Sequence, residues 1–121
     1  MSEAFFDTNI LVDWLSDRPA AAAELKLYSR YRISRIVWAE VLAGEPSATR
    51  ETVLRLIDPF EVVEVDAAVA ARAADVRHSN RMKLMDALIY ATAQMYGAVL
   101  VTRNTRDFPA TMAGIRNPYH L

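Results

Sequence analysis

From one end of this chain to the other, strand-like and helical segments take turns. "AFF", just before Asp7, reads as a short central strand. "NILVDWLSD" places apolar residues at positions 10, 11, 14 and 15, which is helical spacing. Pro19 suits the first residue of a second helix, "PAAAAELKLYSR". "YRISRI" has mixed strand character, and "VWAEVLAG" is helical up to a cap at Gly44. "PSATRETVLRLID" is a further helix and "FEVVEV" a strand by its β-branched content. Asp66 caps "AAVAARAADVRHSNR", and "LMDALIYATAQMYG" is a helix that ends at Gly97. "AVLVT" is a strand, and "RNTRDFP" a loop or helical turn. Strands separated by helices pair in parallel, because each helix carries the chain back across a sheet face. The expected fold is therefore α/β, a three-layer α/β/α sandwich with a mostly parallel central sheet. No repeat, linker or low-complexity tract divides the chain, so residues 1–121 are expected to form one domain.

The bulk numbers exclude more than they select. A hydrophobic share of 53% argues against disorder. The absence of cysteine rules out disulfides and thiolate metal sites, and suits a reducing cytoplasm. The N-terminal "MSEAFFDTN" has no basic region followed by a sustained apolar one, so no signal peptide is read. No run approaches the length needed to span a bilayer, and no membrane association is expected. A net charge of −1 gives no global attraction to nucleic acid. The basic residues are 12 Arg and 2 Lys. Arg grips phosphate bidentately, although a GC-rich genome accounts for the same ratio.

Four acids stand in suggestive places. Asp7 follows a buried strand, and ligand sites in parallel sheets lie beyond the carboxyl ends of strands. Asp107 lies a few residues past the end of "AVLVT". Asp86 sits near a helix start, where the helix dipole favours a carboxylate. Glu40 is the only charged residue in "IVWAEVLAG". Singly, each has an ordinary explanation: Asp7 or Asn9 as a helix cap, Asp86 as a tolerated helix start, Asp107 as a turn residue, Glu40 as a side chain reaching water.

Together they raise a physical demand. Carboxylates brought together repel, and burial raises their pKa, so either some protonate or a cation joins them. Oxygen-only ligands select Mg²⁺ or Mn²⁺. Such an ion activates water and stabilises phosphodiester displacement. The carboxylates of Asp7, Glu40 and Asp86 are then expected to face one cavity. Thr8, Asn9, Thr102 and Asn104 are candidates to orient the acids or hold a water, with capping and turn chemistry as the alternative. An α/β phosphatase of the haloacid-dehalogenase type wants a second aspartate two positions after the first, where this chain has Asn9.

"FFDTNILVDWL", "WAEVLAG" and "MDALIYATAQMYGAVLVTRNTRDFP" resemble the PIN-domain nucleases, and among them the VapC-type toxins of bacterial toxin–antitoxin modules. The matches run in order from residue 4 to about 109. The resemblance implies a metal-dependent endoribonuclease toxin using Mg²⁺ or Mn²⁺. Carried over by position, the acids are Asp7, Glu40, Asp86 and Asp107. Asp7 and Asp86 are the main ligands, and Glu40 is a ligand or the group that orients the attacking water. In many relatives the fourth acid stands where this chain has Asn104, or is absent. The resemblance further implies an RNA substrate, a homodimer and an inhibitory protein antitoxin. A PIN-type nuclease for RNA processing or DNA, without an antitoxin, is the alternative.

Arg81 and Lys83, with Arg77 before them, precede Asp86, and Arg103 and Arg106 flank Asn104. All are candidates for RNA phosphates, the alternative being a solvated helix end and turn. Leu11, Trp14 and Leu15, and Leu25 and Tyr28, are read as core with a second use as an antitoxin groove. Tyr90, Met95 and Tyr96 raise the same choice for a dimer contact. His78 and His120 are read as surface residues.

Overall fold

The computed structural model describes residues 3–121; Met1 and Ser2, the start of the stretch read above for a signal peptide, lie outside the described residues. Five strands are β1 (Glu3–Phe6), β2 (Arg30–Ser34), β3 (Glu61–Val63), β4 (Val99–Val101) and β5 (Ile115–Arg116). Six helices flank them: α1 (Thr8–Leu15), α2 (Pro19–Leu25), α3 (Arg35–Ala43), α4 (Ser47–Leu56), α5 (Ala67–Asn80) and α6 (Leu84–Met95). The sheet order is β3-β2-β1-β4-β5, and every pairing is parallel. The expected α/β/α sandwich is what forms.

Strand β1 occupies the centre because both of its faces are apolar. Ala4, Phe5 and Phe6 are all buried. Phe6 meets Tyr28, Tyr31 and Phe60 edge-on in one layer. Phe5 points the other way, toward Tyr96 and the guanidinium of Arg32. Fully burying a phenylalanine contributes about 2 kcal/mol, so these two anchor the sheet between its helical layers. Its register is fixed by Phe5 opposite Arg32 on one side and Leu100 on the other.

Local chemistry sets the boundaries. Asp7 caps α1 by accepting from the Thr8 N–H, and Asp66 caps α5 through the Val69 N–H, as its position before an alanine-rich run predicts. Pro19 is the first residue of α2. Ser34 closes β2 and caps α3 at once, so "YRISRI" is a strand that turns directly into a helix. That junction puts Glu40 in the second turn of α3. Gly97 takes φ +63°, a left-handed value that favours glycine, whereas Gly44 caps α3 in the right-handed region.

Strand β5 is absent from the reading of the sequence. Two residues have no periodicity to detect, and Ile115–Arg116 is recruited by pairing with β4. What fixes it laterally is an ion pair. Arg116 donates to Glu24 from Nε (2.5 Å) and Nη2 (2.9 Å), and the Tyr28 hydroxyl donates to the same carboxylate at 2.8 Å. Glu24 is buried. Burial pushes its carboxyl up, but the hydrogen bonds from Arg116 and Tyr28 outweigh it and hold the pKa below the usual range. Removing one partner of such a pair strands the other charge away from water. Arg116→Ala is therefore expected to destabilise the protein by about 3 kcal/mol at neutral pH, read by urea denaturation. Loss under half a kcal/mol would mean that water reaches Glu24 freely.

Candidate active site

The chain leaves β1 for β2 and β3 on one side, then returns to β4 and β5 on the other. The carboxyl ends of β1 and β4 therefore flank the point where the winding reverses, the place where open parallel sheets form ligand sites. Asp7 stands there, one residue past β1, with its N–H bonded to the carbonyl of Val101 at 2.9 Å. It is 5% exposed. Its Oδ1 accepts from the Thr8 N–H at 2.8 Å, and its Oδ2 from the Thr102 hydroxyl at 2.7 Å and, more weakly, from Asn9 Nδ2 at 3.4 Å. A carboxylate offers about four lone-pair directions. Three donors leave room for one further partner.

Thr102 is fully committed. Its hydroxyl accepts from Asn9 Nδ2 (3.2 Å) and the Asn104 N–H (3.0 Å), so its own proton points to Asp7. Asn9 in turn accepts on Oδ1 from the Arg103 N–H at 3.0 Å. The Thr8 hydroxyl donates to Glu40 Oε1 at 2.6 Å, tying α1 to α3. Asn104 and Asp107 hold each other: Asn104 Nδ2 donates to Asp107 Oδ2 at 2.9 Å, and the Asp107 N–H returns to Asn104 Oδ1 at 3.1 Å.

The acids influence one another electrically. Burial pushes the Asp7 carboxyl up to about 6; the Thr102 and Thr8 bonds oppose the rise, and the charges of Asp86 and Glu40 reinforce it. Asp86 is raised by burial, then by Asp107 and Glu40, with Lys83 pulling the other way. The four acids thus form one electrostatic neighbourhood. They do not close round a point: among the described residues no three His, Asp or Glu side chains stand near enough to hold one ion together. Glu40 is exposed beside a groove between α1, α3 and α4, and Asp107 lines a hollow with Arg106 and Asn80. The expected convergence of Asp7, Glu40 and Asp86 is therefore electrostatic, with Asp7 buried and Glu40 exposed, and they do not form a shared ligand set. Their donors still suit Mg²⁺ or Mn²⁺, which bind through one or two carboxylates and keep several waters.

The basic candidates divide. Arg103 turns its guanidinium to Asp13, with Nε–Oδ2 2.6 Å and Nη2–Oδ1 3.1 Å. Arg77, Arg81 and Arg106 enter no ion pair among the described residues. Arg77, His78 and Arg81 share one hollow at the end of α5, and Arg81 itself closes that helix at φ +54°. Of the apolar candidates, Leu11, Leu25, Tyr28 and Tyr90 are buried, Trp14 and Leu15 pack against the core, and Met95 and Tyr96 are about half exposed.

Asp13, Asn117 and Tyr119 escape the sequence reading. Asp13 is buried and also accepts from the Tyr119 hydroxyl at 2.8 Å; Asn117 Nδ2 donates to the Thr102 carbonyl at 2.9 Å. A signal for Asp13 exists: it is the lone charge in "NILVDWL", as Glu40 is in its own segment, and it falls four residues after Asn9 on the same helical face.

Comparison with known proteins adds an independent finding. A PIN domain family model matches residues 4–112. Ribonuclease VapC10 of Mycobacterium tuberculosis is 38% identical over 82 residues, 64% of this chain and 62% of that protein, so the match spans less than two thirds of that relative. The tRNA(fMet)-specific endonuclease VapC of Shigella flexneri is 30% identical over 120 residues, covering 89% of this chain and 91% of its own. A chain of a toxin–antitoxin complex from Klebsiella pneumoniae has a TM-score of 0.90 at 37% identity, over 98% of this chain and all of that one.

Asp7 makes a pH prediction. Its folded pKa of about 6 lies above the ordinary 3.8, so the folded state holds a proton that the unfolded chain releases. Its contribution to stability is present below about pH 4 and is lost as pH rises through about 6. The gap corresponds to about 3 kcal/mol. In metal-free protein, Asp7→Asn is expected to melt several degrees above wild type at pH 7.5, with the advantage gone at pH 3.5. Equal melting temperatures at pH 7.5 would mean that Asp7 ionises without cost.

Proposed function

This chain belongs to the PIN-domain family, and on that premise we propose that it is a divalent-metal-dependent endoribonuclease, the toxin of a toxin–antitoxin module. The observation that carries the reading is Asp7: a buried carboxylate at the winding reversal, pushed up to about 6, with one lone-pair direction left over. Residues 1–121 make one nuclease domain on this proposal. Among the described residues no helix is long and apolar enough to cross a membrane, in keeping with a cytoplasmic site of action.

Asp7 and Asp86 are proposed to hold Mg²⁺ or Mn²⁺, with Asp107 beside Asp86. An ion held by these carboxylates would supply a water of lowered pKa and offset the negative charge of the phosphodiester. Thr102 keeps the Asp7 carboxylate turned outward, and Asn9 supports it from the same side. Glu40 has Oε1 occupied by the Thr8 hydroxyl, which leaves Oε2 to accept a proton from the attacking water. Asn104 holds Asp107 in its turn.

RNA is proposed to approach over the α5–α6 junction. Lys83 lies near enough to Asp86 to act on its charge, Arg81 precedes it, Arg106 stands beside Asp107, and Arg77 shares a hollow with Arg81. Arg103 leaves this set because its guanidinium is spent on Asp13. The antitoxin is proposed to lay an apolar helix face in the groove lined by Val12, Leu15, Val41, Val53 and Leu56. Glu40 lines the same groove, so such a helix ends at the acids. A homodimer completes the reading.

Metal-stripped protein, freed of any antitoxin, is incubated with total RNA with and without Mg²⁺ or Mn²⁺. Discrete cuts that need the ion are expected, and Asp7→Asn is expected to reduce them more than about 100-fold, beyond what a residue merely supporting a ligand costs. Cuts that persist without metal overturn the mechanism, and cuts confined to DNA overturn the substrate.

The track has its own test. In an Asp7→Asn background, Arg77→Ala with Arg81→Ala is expected to weaken RNA binding and to lower the slope of log affinity against log salt by about 0.7 for each phosphate no longer neutralised. An unchanged slope removes the track from the interface.

A further inference from the structure

Asp13 touches none of the four acids, yet the structure ties it to them through a short chain of bonds. The residue is 3% exposed, and its carboxylate holds the Arg103 guanidinium by two hydrogen bonds, with Tyr119 on the same Oδ2 and Arg18 at 3.6 Å from Oδ1. The neighbouring main-chain groups matter as much. The Arg103 N–H donates to Asn9 Oδ1. A main-chain N–H can only donate, so this bond selects which end of the Asn9 amide faces it. Nδ2 must then face Asp7 Oδ2 and Thr102 Oγ1, as it does. If the Arg103 peptide moved, the amide could turn and set an oxygen against the carboxylate.

An energetic argument points the same way. A buried ion pair is seldom more stabilising than apolar side chains of the same volume. Stability alone therefore gives no reason for Asp13 in a helix face that otherwise packs against the core, or for its pairing with Arg103 in the turn after β4. Fixed geometry does. The fork between Asp13 and Arg103 pins the turn that carries Thr102, Arg103 and Asn104, and the Asn117 side chain pins its carbonyl side through the Thr102 and Phe108 oxygens.

We propose that Asp13 is a positioning residue: by holding Arg103 it sets the orientation of Asn9 and Thr102, and through them turns the Asp7 carboxylate toward the ion. This rests on the metal-nuclease reading for the ion and on the hydrogen-bond network alone for the positioning.

The test uses full-length metal-free protein and Asp13→Asn, with two readouts. The first is the Asn9 side-chain amide, followed by ¹⁵N NMR and assigned by its loss in Asn9→Asp. Asp13→Asn is expected to shift these signals and speed their exchange with solvent. The second is Mn²⁺ affinity by electron paramagnetic resonance, expected to fall roughly tenfold or more, the usual effect of losing a residue that supports a metal ligand. Ile57→Ala serves as the control for instability, since it truncates a buried core side chain after α4 that makes no bond to this network; its Mn²⁺ affinity is expected to stay at the wild-type value. If Asp13→Asn does not fold, Arg103→Lys, which keeps a cation near Asp13 but loses the fork, is carried through the same measurements. A folded variant with wild-type Asn9 signals overturns the positioning proposal. Equal loss of affinity in Ile57→Ala overturns it too, because instability then explains the effect. Wild-type protein that binds no Mn²⁺ overturns the nuclease reading instead, and the Asn9 signals alone then decide the positioning.

Discussion

A carboxylate taken out of water needs donors, a proton or a cation. Asp7 is 5% exposed at the centre of the sheet, and much of the surrounding architecture serves to keep it there. It is held by a helix N-terminus through Thr8 and by the end of β4 through Thr102, two elements far apart in sequence. Those donors are too few to cancel the effect of burial and of two neighbouring acids, because the pKa still rises to about 6. The fold thus carries a standing electrostatic cost at neutral pH, which a divalent cation would relieve on the proposed metal-nuclease reading. A site of this kind trades apo stability for affinity.

The fold was legible because its signals are long or chemically sharp. The cap at Asp66, Pro19 as the first residue of α2, the amphipathic spacing of α1 and the apolar run of β1 each have one ordinary interpretation. β5 was not legible, since two residues gain their strand character only from the neighbour they join. At the site, the acids could be named because each interrupts an apolar segment. Their spacing in three dimensions could not, because it depends on which strands lie side by side. The same limit hid the role of Arg103. In the sequence it is one more cation beside Asn104, and only the packing of α1 against the end of β4 shows that Asp13 neutralises it.

That neutralisation sorts the basic residues. Arg30, Arg32 and Arg35 meet Glu3, Glu61 and Glu64 along the β3 side of the sheet, and Arg103 and Arg116 meet buried acids. These side chains are occupied by the fold. Among the described residues Lys26, Arg50, Arg55, Arg72, Arg77, Arg81, Lys83 and Arg106 enter no ion pair, and of these Arg77, Arg81 and Arg106 line hollows where α5 ends and where the turn after β4 passes Asp107. A net charge of −1 conceals this division. What attracts a polyanion is the charge left over once internal pairs are subtracted, and part of it lies near Asp86 and Asp107, where the proposed reaction needs a phosphate.

The two buried ion pairs of the C-terminal segment do different work, and their surroundings say why. Glu24–Arg116 joins α2 to an edge strand, and Arg116 meets the site only through its carbonyl, which accepts from the Thr102 N–H. Asp13–Arg103 lies one residue from Thr102, whose hydroxyl has its single proton committed to Asp7 and both acceptor positions filled. A group with no spare bonding capacity transmits displacement, because it cannot exchange one partner for another without losing a bond. Asn9 is constrained in the same way by the Arg103 N–H. The precision of the Asp7 carboxylate therefore depends on how firmly the 102–104 turn is held, and the ion pair holds that turn from the side facing away from the acids. A salt bridge placed there orients the site without adding its own charge to it.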